Sequence, residues 1–177
     1  MIRSLFSIFI ITIVFALPVQ AQLQMEQTIA AGFSGGITYL GGLRDVLQVE
    51  ELSAFSGSLF LDFNMGDGAN VRLGANFGLV SDMIFSSFET NFFWRFPIGR
   101  LRGIGGGGIG LFSLPVETAS PLHISLQALI GMEQDLFRFL IVKFTMQASQ
   151  VISVTQGLIP GMPLFRIEAG FSMPFRQ

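Results

Sequence analysis

The feature that most constrains this chain is an alternation of apolar residues with small or polar ones, repeated in segment after segment between Thr28 and Phe175. In TIAAGFSGGITYL, Ile29, Ala31, Phe33, Ile37 and Tyr39 share one parity, and Gly32, Ser34, Gly36 and Thr38 the other. In SAFSGSLFLDFN, Phe55, Leu59, Leu61 and Phe63 alternate with Ser56, Ser58 and Asp62; in NVRLGANFGLV, Val71, Leu73, Ala75, Phe77 and Leu79 alternate with Arg72, Gly74, Asn76 and Gly78. The segments SFETNFFWRF, LHISLQALIGME, LIVKFTMQ and FRIEAGFSMPF repeat the pattern, with Phe139 and Ile141 falling on the polar side of theirs. Strand side chains point to opposite faces with period two, so each segment predicts a strand with one apolar and one small or polar face. With the glycine-rich segment 101–112 there are eight such strands.

Half of the residues are hydrophobic and 12% are charged, against about 25% charged in an ordinary soluble domain. Yet no segment after the first few tens of residues is a continuous apolar run of membrane-helix length. Hydrophobicity spread over many short alternating segments is the signature of a membrane barrel. The connections agree with this. NMGDGA, PIGR and EQD read as tight turns. On the other side only SDM is short, and GGLRDVLQVEEL, LPVETASP and ASQVISVTQGLIPGMP are longer. Both chain ends then fall on the short-turn, periplasmic side. Phe63, Trp94, Phe96 and Phe175 converge on that edge, as an interfacial aromatic girdle requires. The fold class expected is all-β: an eight-stranded antiparallel up-and-down transmembrane β-barrel.

The chain opens MIRSLFSIFIITIVFALPVQAQ, a positive start, an apolar run broken at Pro18 and a small-residue cleavage site. This predicts a secretory signal peptide over 1–21 and one barrel domain over 22–177. Without Arg3 the mature chain carries nine basic and twelve acidic residues, so nothing electrostatic favours nucleic acid. Absence of cysteine excludes a disulfide framework and lipoprotein acylation. One histidine and scattered carboxylates offer no metal site, and no cofactor is expected.

These patterns resemble the small eight-stranded outer-membrane barrels of the OmpA and OmpX type, over nearly the whole mature chain, as strand pattern rather than as a specific motif. The ending FRIEAGFSMPF is similar to the last-strand signal of such proteins, although Arg176 and Gln177 follow Phe175 and Pro174 precedes it. The resemblance implies a bacterial outer-membrane location, contact with outer-membrane lipid, and the barrel-assembly machinery as a partner during biogenesis.

The stretch 103–108 reads G-x-G-x-x-G, the spacing of a dinucleotide-binding turn. That fingerprint requires a strand before it, a helix opening on it and an acidic residue about 20 positions later. Here a turn precedes, no helical period follows, and Glu117 stands at an unsuitable distance. A barrel gives the glycines a role. An eight-stranded lumen is just wide enough for side chains to fill, so residues facing a large inward group must be small. Gly106, Gly108 and Gly110 are assigned inward, beside further room at Gly32, Gly36, Gly74, Gly78 and Gly170. Gly103, Gly105 and Gly107 then leave a shallow lipid-facing groove. It is read first as a tolerated defect and second as a place for a lipid chain, a partner helix or a second copy.

Inward charges include Asp62, Arg72, Glu89, Arg95, Lys143 and Glu168, expected to form a polar network that fills the lumen. Asp62 and Glu89 are read as ion-pair members in preference to an acid pair. Lys143 and Glu168 are expected to lie diagonal on neighbouring strands and to pair. His123 and Ser125 are the one catalytic-looking constellation, two apart on one face. They resemble the H-x-S element of outer-membrane lipid A deacylases, but Leu126 stands where that family has asparagine, and both residues face the lumen. The function expected is structural or interactive, not enzymatic. The alternatives are a lipid A deacylase-like enzyme and a narrow pore or lipophile-binding barrel.

Overall fold

The computed structural model describes residues 29–42, 44, 49–113, 122–153 and 163–175; the expected signal peptide lies outside them. Eight strands form one sheet: β1 (Ile29–Tyr39), β2 (Ser53–Gly66), β3 (Ala69–Val80), β4 (Met83–Ile98), β5 (Leu101–Ser113), β6 (Leu122–Phe137), β7 (Leu140–Ser153) and β8 (Pro163–Phe175). Each pairs antiparallel with its sequence neighbours, and β1 also pairs with β8, from Ile29↔Phe175 to Tyr39↔Phe165. The result is a closed barrel without an edge. Every strand donates its ladder on both sides, which is what a sheet needs where no water can satisfy the backbone.

Alternation sets the facing. Phe33, Phe55, Leu59, Phe77, Phe88, Ile109, Leu126 and Ile130 are all more than half exposed on the outer wall, while the residues beside them along each strand are buried or half-buried. An apolar outside around a polar inside is the inverse of a soluble protein and the arrangement of a barrel that lies in lipid.

The two-residue turn Asp67-Gly68 has positive φ at both positions (50° and 77°). That is the geometry of the hairpin turn that Asp-Gly favours. Gly68 is further constrained because a Cβ there would come within 2.7 Å of the Arg95 carbonyl oxygen. At the opposite end Ser81 also has a positive φ, and its hydroxyl donates to Glu51 at 2.6 Å, holding that exposed carboxyl below its ordinary range.

One expected turn is displaced. EQD lies inside β6, and the chain reverses at Arg138-Phe139 instead. The carboxylates of Glu133 and Asp135 turn to arginines, so they belong to the strand, and a register shift between Asp135 and Phe137 absorbs the irregularity. Phe137 and Phe139 stack across the new turn, 5.6 Å between centroids. Ile141 is buried, while Phe139 is exposed in the turn.

Candidate functional site

The barrel interior is the most densely organised region of the molecule, and it is filled in tiers. Nearest the short turns, β2, β3, β4, β5, β6 and β7 direct three carboxylates and four cations to one place. Arg72 holds Asp62 with two parallel hydrogen bonds, 2.7 and 3.1 Å. Arg95 bridges Asp62 at 3.2 Å and Glu133 at 2.7 Å, and its remaining nitrogen donates to Asn70. Arg102 reaches Glu133 at 2.8 Å and Asp135 at 2.5 Å. The Lys143 amine donates to Asp62 and lies 3.7 Å from Glu133. Apolar and aromatic partners complete the tier: the Arg72 guanidinium sits 4.3 Å from the Phe60 ring centroid and 5.1 Å from that of Phe93. A buried charge is tolerable only when paired and hydrogen-bonded, and here each carboxylate meets at least one cation.

Above it lies a second, smaller tier. Arg166 reaches Glu89 at 3.1 Å, with Gln147 and Ser87 donating to the same carboxylate at 3.0 and 2.9 Å. Glu168 accepts from Ser34 at 2.8 Å and Ser58 at 2.7 Å, and lies 3.9 Å from Arg166. At the end opposite the short turns the lumen becomes apolar. Leu40, just after β1, and Ala54, Val80, Phe85, Phe112, Val151 and Leu164, from six of the eight strands, close it as one cluster, with Phe85 stacked on Phe112. Between the charged tiers a cavity of about 10 Å³ is left, bordered by Ser34, Arg72, Asn76, Gln147 and Glu168.

Asp62, Arg72, Glu89, Arg95, Lys143 and Glu168 thus all point inward, but they divide into two tiers. Register places Lys143 opposite Gly170 and Glu168 opposite Thr145, so the two are diagonal. They nevertheless do not pair: the lysine extends across the lumen to β2, where Asp62 and the Phe60 ring face receive it. Glu133, Arg102 and Arg166 are full members that the sequence reading did not single out. Their parity was the available signal, and Glu133 was placed on the polar face of its strand but also at the start of an expected EQD turn.

Large inward rings rest on glycine. Cβ atoms at Gly32 and Gly78 would approach the Phe60 and Phe85 rings within 2.5 and 2.0 Å, whereas one at Gly106 would meet the Phe92 carbonyl oxygen at 2.1 Å. Phe96 covers Gly103 on the outer wall in the same way, so the expected groove over Gly103–Gly107 is filled at that end. Trp94, Phe96 and Phe175 are about half exposed, and Phe63 and Phe175 flank Ile29 in one row. Phe92 packs edge-on to Trp94, 4.7 Å between centroids.

His123 and Ser125 are both buried inside the barrel. The Ser125 hydroxyl accepts from Gln127 at 3.0 Å, close to Gly110, where a Cβ would crowd Ser125, Gln127 and Glu89.

No family model and no curated protein sequence matches the chain. Solved structures do. The chain is similar to Neisserial surface protein A, with a TM-score of 0.61 at 11% identity over 83% of this chain and 96% of that one. The N-terminal β-barrel domain of Pseudomonas aeruginosa OprF gives 0.59 at 12% identity over 84% and 98%. The outer membrane enzyme PagL gives 0.52 at 12% identity over 83% and 99%. Likeness at this identity is likeness of fold, and proteins of different activities share it. With its apolar wall, closed seam and solved neighbours, the chain has the fold of the small eight-stranded barrels of the bacterial outer membrane.

Proposed function

We propose that the protein is a closed outer-membrane scaffold with a structural or interaction role, and that its lumen neither conducts nor catalyses. The observation that carries this is the filling of the interior: among the described residues, two ion-pair tiers and an apolar cap occupy the lumen, and the cavity between the tiers is about 10 Å³, room for about one water. A permeating ion would have to separate buried pairs and then shed its hydration in the apolar cap. Both steps are costly. Outer-membrane lipid surrounds the barrel, and the barrel-assembly machinery is its partner during insertion.

The deacylase-like alternative is disfavoured by direction. His123 and Ser125 lie inside the lumen, whereas an acyl chain would approach from outside. Purified protein in planar lipid bilayers should give no steady single-channel current; reproducible unitary conductance would end the closed-lumen reading. Lipid A mass spectra of cells with and without the protein should be the same. An acyl chain lost only when His123 and Ser125 are both intact would establish the enzyme instead.

A further inference from the structure

The outer wall is not uniformly convex. A depression of about 780 Å³ crosses β1 to β6 at mid-strand, with almost entirely apolar walls. Its floor is backbone at Gly32, Gly74 and Gly110, and its depth comes from the small outward residues Ala31, Ala75 and Thr90, set between larger neighbours such as Leu61 and Phe88. Six adjacent strands at their usual spacing make it about 24 Å long. None of Gly103 to Gly107 lines it, although Ile109 beside that stretch does, and Phe96 covers Gly103.

We propose that this depression is a binding groove for a lipid acyl chain, held for longer than the lipid elsewhere around the wall. At mid-strand the surroundings are hydrocarbon, so neither water nor a polar ligand fills such a space. Its volume falls among cavities of about 300–1,000 Å³ that enclose small ligands. Its apolar lining, continuous from strand to strand around the curved wall, fits a flexible alkyl chain. A second copy fits poorly: a two-fold contact sets the same patch against itself, and a concavity does not fill a concavity. The inference rests on the membrane position of the wall and is independent of what the lumen does.

The test is native mass spectrometry of the protein extracted by mild detergent from vesicles of dipalmitoyl phosphatidylethanolamine. The unmodified protein should retain one phospholipid through delipidation. Ala75→Leu and Ala31→Leu, which fill the groove, should each retain several-fold less. Ala148→Leu, on the outer wall outside it, should behave as the unmodified protein. Folding of each variant is checked by the shift in gel migration between unheated and boiled samples, and either groove variant alone suffices if the other does not fold. Equal retention by filled and unfilled proteins overturns the proposal. So does a dimer that a groove variant dissociates while no lipid is retained, which would make a second copy the occupant.

Discussion

At the scale of single residues, Lys143 decides most about the lumen. Its amine lies among Asp62, Glu133 and the Phe60 ring, so Lys143→Met removes one cation from two buried carboxylates. Breaking a buried pair from one side costs about 3–5 kcal/mol. Because Arg72 and Arg95 still hold Asp62, the lower end of that range is expected. Urea unfolding from lipid vesicles should show the loss, and in a double-mutant cycle with Asp62→Asn the two losses should not add. A coupling of about 0.5–3 kcal/mol marks residues that meet. The same cycle with Glu168→Gln should be additive within about 0.5 kcal/mol; strong coupling there would contradict the observed geometry. Parity made the inward direction of all these residues legible in the sequence. It did not reveal their partners, because alternation reports a face and not a reach. Lys143 and Asp62 stand on strands that are not neighbours and meet only because the barrel closes.

At the scale of elements, strands were more legible than their ends. Seven apolar-polar repeats and one glycine-rich segment correspond to the eight strands, since burial of one face forces period two. The end of β6 was hidden because acidic residues commonly mark turns, whereas Glu133 and Asp135 serve the lumen. The glycines inside strands carry two predictions. Gly78→Ala would drive a methyl into the Phe85 ring, and overpacking of this kind costs about 1–3 kcal/mol. Pairing it with Phe85→Leu should recover stability in the same vesicle unfolding assay; no recovery would mean that the ring is not what the glycine accommodates. In the turns, Gly68→Ala should destabilise more than Gly99→Ala. Both have positive φ, but a Cβ at Gly68 meets the Arg95 carbonyl, whereas one at Gly99 meets nothing within 4 Å. Equal losses would show that backbone strain alone sets the cost.

At the scale of the whole molecule, closure of β1 on β8 pairs every strand on both sides. The barrel should therefore resist detergent at room temperature and migrate faster on gels unheated than boiled. A protein that instead purified as a soluble monomer without detergent would contradict the membrane reading of its wall. The architecture was legible from the start because a membrane leaves few choices to a chain of short alternating segments. The tiered filling was not, because it depends on the barrel's curvature and on side chains crossing from one wall to another. The apolar cap has a separate consequence for how such a protein can change over generations. It draws its side chains from strand residues and from Leu40, immediately after β1. Among the described connection residues, Val49 also packs against it, while Glu50 and Glu51 stay exposed. Exposed connection positions such as Glu50 can therefore be exchanged for new surfaces while the strand side chains of the seal stay the same.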